Sequence, residues 1–178
     1  GGSGSLMEIS GLKIFSVAAI GTATRLAANL EEALLRVTTI TGQVGAGFKN
    51  LQRVTIGLSN EFAKTAGDVA SSLYDISSAG YQGADAFSIL RASIQASTAG
   101  MTNVSVSSTA ISRALKAFNL PVESAITVSD VLFNTVKRGI TTFDDLANQI
   151  TRVLTVSNVS GVSLQELGAV LAFLTRNG

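Results

Sequence analysis

The chain has 178 residues, enough for one domain with a buried core. Thirteen Lys and Arg against twelve Asp and Glu leave a formal charge of +1, with 46% apolar and only 14% charged residues, which gives no electrostatic footprint for nucleic acid and no basic run for an anionic membrane surface. With no His, Cys or Trp, the chain lacks the usual zinc, copper and haem ligands, the commonest general base and the thiol nucleophile, and it forms no disulfide.

The opening Gly1-Gly2-Ser3-Gly4-Ser5 reads as a linker or tag, assigned to residues 1–6, with the native sequence starting near Met7. From Leu12 to Ile40, residues Ile14, Phe15, Ala18, Ala19, Leu26, Leu30, Leu34 and Val37 fall near one stripe, interrupted at Gly21-Thr22. This predicts a long N-terminal amphipathic helix within residues 7–44. Lys13, Arg25 and several small or polar residues set it apart from a membrane span, which needs roughly 20 mainly apolar residues. A partner-facing helix is the better reading.

Gln43 to Gly47 forms a glycine-rich joint, and residues 45–178 read as the main helical domain. Phe48, Leu51, Val54, Leu58 and Phe62 repeat at helical spacing. A short helix opens at Gly67, runs through Val69, Leu73 and Ile76, and ends at Gly80, a natural left-handed stop. The next runs from Ala84 through Phe87, Leu90 and Ile94 to Gly100. Ser105 or Ser107 is expected to cap the helix carrying Ile111, Leu115 and Phe118, which ends at Asn119. Pro121 suits the start of the following one, with Val122, Ile126, Val128, Val131, Leu132 and Val136 as its apolar side. Lys137 and Arg138 complement the dipole of its last turn, and Gly139 ends it. Thr142 with Asp145, and Ser163 with Glu166, approximate capping boxes for helices over 143–156 and 164–176.

The fold class is therefore all-α: about seven or eight short amphipathic helices in helical hairpins, after a longer N-terminal one. A faint echo links Asp68-Val69, Gly80 and Gly100-Met101-Thr102 with Asp130-Val131, Gly139 and Gly161-Val162-Ser163, at a spacing of about 60 residues. The pattern ends on Asn177-Gly178, and the chain is read as a piece of a longer protein.

A family resemblance rests on ordered segments over about two-thirds of the chain. They are Leu58 to Phe62, Ala70 to Tyr81, Thr98-Ala99-Gly100, Ala114 to Leu120, Val128 to Gly139, Thr141 to Leu146, Gly161 to Leu167 and Leu174 to Gly178. In these the chain resembles the phage tail tape measure family, in the region that precedes its long rod. The resemblance implies a structural virion protein inside the tail tube, whose full length sets tail length during assembly and which leaves the tube before or with the genome. It implies as partners further copies of itself, tail tube and tail-tip proteins and a tail assembly chaperone, with the host cytoplasm as the place of assembly. It carries no catalytic residues, no cofactor and no small-molecule substrate.

Read without the resemblance, the candidate chemistry is thin. Ser71-Ser72, Ser77-Ser78 and Ser107-Ser108 have no base at an interpretable spacing and read as helix-end or helix-surface serines. Asp144-Asp145 lies in a first helical turn, where dipole and capping account for both carboxylates. Lys137-Arg138 is weak grounds for DNA contact. Gly42, Gly45 and Gly47 lack the strand and acidic residue of a dinucleotide fingerprint and read as a hinge. The chain is accordingly read as no enzyme, with no metal or cofactor site. The residues expected at a subunit or partner interface are Phe15, Leu26, Leu30, Leu34, Phe48 and Phe62, since a low-charge, many-faced helical chain leaves apolar surface for others to cover. The alternatives are a membrane-active segment assisting genome delivery, centred on residues 12–40, and a generic bacterial helical interaction module.

Overall fold

The computed structural model describes residues 24–177; Phe15, the linker and the first half of the N-terminal amphipathic stretch lie outside them. Among the described residues the chain is all-α. Helix α1 covers 24–41, followed by α2 (Ala46–Phe62), α3 (Ala66–Ser78), α4 (Gly83–Ala99), α5 (Val104–Ala117), a single 3-10 turn (Val122–Ser124), α6 (Ala125–Arg138), α7 (Phe143–Val159) and α8 (Leu164–Asn177).

Most helices end by one device. In α3 the N–H of Tyr81 donates to the Ile76 carbonyl (3.3 Å) and that of Gly80 to Ser77 (2.9 Å), with Gly80 at φ 100°. This is the Schellman arrangement anticipated for that glycine. Asn119 does the same for α5, where Leu120 N–H reaches the Leu115 carbonyl at 2.8 Å. At the end of α4 the structure departs from the sequence reading. The left-handed residue is Met101 (φ 50°), and Gly100 stays right-handed. A Cβ on Gly100 would lie 2.9 Å from the Phe143 ring, so glycine is needed there for close approach rather than for its backbone freedom.

At the helix starts, Thr65 caps α3 by accepting the Asp68 N–H (3.1 Å). Thr142 accepts the Asp145 N–H (3.1 Å) and donates to its carboxylate (2.7 Å). Ser163 and Glu166 complete a full reciprocal box. The expected cap of α5 is corrected. The helix opens at Val104 after Asn103, with no side-chain cap. Ser105 instead donates to the Asp75 carboxylate on α3, and Ser107 is fully buried. The pattern misled because Ser105 and Ser107 serve contacts between helices.

From α2 onward packing follows a simple rule: each helix touches the next and, where there is one, the next but one. Substantial contacts join α3 to α5, α5 to α7, α2 to α4, α4 to α6 and α6 to α8, besides sequential neighbours. A groove lined by Ala33 and Arg36 of α1 and by Gly67 and Tyr74 of α3 sets α1 beside α3. The result is two layers of stacked helical hairpins, odd helices in one and even helices in the other. Buried residues recur in step with it. Leu30, Leu34 and Val37 of α1 are succeeded by Val69, Leu73 and Ile76 of α3, then by Ser107, Ile111 and Ala114 of α5. In the even layer Leu51, Thr55 and Leu58 are succeeded by Ile89, Ser93 and Ala96, then by Val128, Leu132 and Thr135. The structural repeat is thus about 39 residues, one hairpin. The echo near 60 residues pairs α3 with α6, which lie in different layers.

Small residues at the seams let the helices come close. Ser72, Ser93, Ser97, Ser108 and Thr135 are buried, and each returns its hydroxyl to a carbonyl of its own helix. Thr55, Ser107 and Ser112 are buried without such a partner. Between α6 and α8 the approach is closest: a Cβ on Gly168 would lie 2.6 Å from Thr135 Oγ1, and one on Gly139 would lie 2.4 Å from Thr175 Oγ1 and 3.2 Å from the Ala172 Cα.

Two glycine substitutions are expected to move stability in opposite directions. Gly57→Ala, in an open turn of α2 with nothing within 4 Å, stabilises by about 0.5–1 kcal/mol through helix propensity. Gly168→Ala gains the same propensity but overpacks the α6–α8 seam, for a net loss of about 1–2 kcal/mol, and Thr135→Ala in the same chain restores part of it. Thermal and urea unfolding read both. Thr55→Val removes a buried hydroxyl that has no partner and is expected to raise the urea midpoint, by about 1 kcal/mol or less.

Candidate interaction surface

The residues anticipated for an interface have different fates. Leu30 and Leu34 are 8% and 0% exposed and belong to the chain's own core. Phe48 and Phe62 are half-buried and pack against that core. Leu26 is 56% exposed. Phe15 lies outside the described residues.

Phe62 belongs to the α2–α4 seam. Arg91 of α4 pairs with both carboxylate oxygens of Glu61, one of them at 2.9 Å, and its guanidinium sits 5.6 Å from the Phe62 ring centroid. Both charged side chains are about half open to solvent, so the pair chiefly orients the seam and adds about 1 kcal/mol or less. Four of the other candidates make structural contacts. Asp144 accepts the Thr102 hydroxyl at 2.8 Å, and Asp145 serves the α7 cap. Ser72 bonds back to Asp68 and Ser108 to Ser105. Among the described residues no group of three or more Asp and Glu gathers as a metal would need, and no helix is long and apolar enough to cross a membrane.

Exposed apolar side chains gather at both ends of the described chain, with Leu26, Leu35, Ile40 and Val44 at the first and a second group on α7 and α8. Val156 and Val159 of α7 are 66% and 82% exposed. On α8, Val170, Phe173 and Leu174 are more than half exposed, at i, i+3 and i+4 on one face. Sequence reasoning did not single out this face, because its helical spacing is the same as that of a buried one.

The faces that meet in the even layer recur in register. Between α4 and α6 a groove is lined by Ala92, Gln95, Ala96 and Ala99 on one side and by Ile126, Ser129, Asp130 and Phe133 on the other. Between α6 and α8 the corresponding groove is lined by Val131, Asn134, Thr135 and Arg138, and by Gln165, Gly168, Ala169 and Ala172. Every position of the second groove lies one repeat beyond its counterpart in the first. The receiving side of each helix is thus fixed by its place in the repeat.

Helix α8 is held in position by its cap. Ser163's backbone N–H and hydroxyl both donate to the Glu166 carboxylate (2.8 and 2.7 Å), which holds its pKa below the ordinary 4.5. A carboxyl whose pKa is depressed by folding stabilises the fold above its unfolded pKa, and the contribution is lost as pH falls through the folded value. Fraying of α8, read by amide exchange, is therefore expected to rise on acidification below pH 4.5. In Glu166→Gln that pH-dependent part should disappear, and an unchanged pH profile would refute the assignment.

Residues 52–178 match the model of a family described as phage-related minor tail protein. The chain is also similar to a protein of Clostridium phage phiCD119 named as a probable tape measure protein, 26% identical over 156 residues. The match covers 85% of this chain and 16% of that relative's length. No solved structure matches the chain.

Proposed function

We propose, since this chain belongs to the phage-related minor tail protein family, that it is an ordered structural part of a tail tape measure, carried in the virion and without a catalytic role. The family match over residues 52–178 is the observation that carries this reading. The printed name of the phiCD119 relative supports the tape measure assignment within that family. On this reading the whole polypeptide occupies the lumen of the tail tube, sets the length to which the tube grows, and departs at genome ejection. Assembly takes place in the host cytoplasm.

The stacked-hairpin array cannot itself be the ruler, because it folds back on itself at every turn. A length-setting segment must run extended, and a single continuous helix advances about 1.5 Å per residue. We therefore assign residues 24–177 to docking, beside a ruler supplied by other parts of the polypeptide. The partners of that docking are tail tube and tail-tip proteins, a tail assembly chaperone and further copies of the chain, with Leu26 among the residues offered to them. The low charge and exposed apolar side chains support a protein that works in contact with others.

Deleting residues of the whole polypeptide outside 24–177 is expected to shorten tails in proportion, by about 1.5 Å per residue where the segment is helical. Electron microscopy of the assembled particles measures this. Tails of unchanged length would overturn the ruler assignment.

A further inference from the structure

The even-numbered helices share one register but not one environment. At the centre of the receiving face, Leu58 of α2 is 5% exposed, Ala96 of α4 is 4% and Thr135 of α6 is 3%, each covered by the following even helix. One repeat on, the position is Leu174 of α8, and it is 55% exposed. One neighbour follows the same rule. Val131, half-buried in the seat of α8, corresponds to Val170, which is 51% exposed; Phe173 lies at the rim, a position exposed in every even helix (Gly57, Gln95 and Asn134), and differs from them by being aromatic. Where three helices offer a covered seat, the fourth offers an uncovered one that is more apolar than that of α6.

The opposite end of the layer is different. The side of α2 that corresponds to Ser129 and Asp130 of α6 carries Gln52 and Arg53, with Lys49 one turn earlier, all exposed. Repeat arrays end in polar outer faces where they meet water. The α2 face, which also carries Ile56 at 39% exposed, is thus the more polar of the two outer faces and the α8 face the more apolar. A second copy stacked head to tail would bury Lys49 and Arg53 against Phe173 and Leu174, two cations with no carboxylate to pair them, Arg53 bonding only the neutral Asn50 side chain.

We propose that the Val170–Phe173–Leu174 face of α8 is the seat of a further amphipathic helix of the same array, carried on another helical hairpin of the longer polypeptide. That helix lies on α8 as α8 lies on α6, with a small residue where Gly168 meets Val131 and Thr135. The inference rests on the repeat register and stands independently of the role in the tail.

The test compares the 178-residue chain with the whole natural polypeptide. Amides of α8 are expected to exchange about tenfold or more slowly in the whole polypeptide. Leu174→Lys should abolish that protection while leaving the unfolding temperature of the 178-residue chain unchanged. A photo-crosslinking benzoyl-phenylalanine in place of Phe173 should give an intrachain product in the whole polypeptide, mapped to a helical segment outside residues 24–177. A crosslinked dimer would overturn the proposal in favour of a second copy. Equal exchange of α8 in the two chains, or no crosslink, would overturn it outright.

Discussion

The architecture depends on how closely its helices approach one another. Hairpins stack in two layers only because each seam carries a residue small enough to admit the neighbouring backbone: Ser93 and Ala96 on α4, Thr135 on α6, Gly168 and Ala172 on α8. Large side chains in those places would push the layers apart and expose the leucines and isoleucines between them. The buried hydroxyls fit this role, since serine is nearly as small as alanine and can return its polar group to its own helix. A chain this poor in charge has little else to hold register, and its one ion pair between different helices among the described residues, Arg91 with Glu61, sits half in water.

Much of this was legible in the sequence. Helix starts and stops were marked by local chemistry, as with Ser163 and Glu166 or Gly80, because capping is decided within a few residues of chain. The failures share a cause. Gly100 looked like a backbone stop and is instead flattened against Phe143. Ser105 looked like a cap and bonds Asp75 of another helix. In both, a residue type with a familiar local use serves a contact with a distant element. The repeat was mistaken for the same reason. Short motifs around glycines resemble one another across the two layers, whereas the true period is visible only in which apolar residues become buried.

The interaction surface was harder to read than the fold. A helical stripe of Leu, Val and Phe looks the same whether a neighbour covers it or not, so Leu34, fully buried, and Leu174, open to solvent, carry the same signal in sequence. Once the repeat is known, aligning Leu58, Ala96, Thr135 and Leu174 separates the covered positions from the uncovered one. Of the candidate serines and carboxylates, Ser72 and Ser108 return their hydroxyls to helix carbonyls, Asp144 accepts a hydroxyl of a neighbouring segment and Asp145 serves a cap.

Because the substantial contacts of each hairpin reach only its immediate neighbours, the array has no central keystone. Tension applied at one terminus would load the outermost hairpin alone, and peeling it off would leave the rest standing. Such a body yields by successive small ruptures instead of one large break, and a chain drawn lengthwise through a narrow opening could be threaded out at modest force, one hairpin at a time.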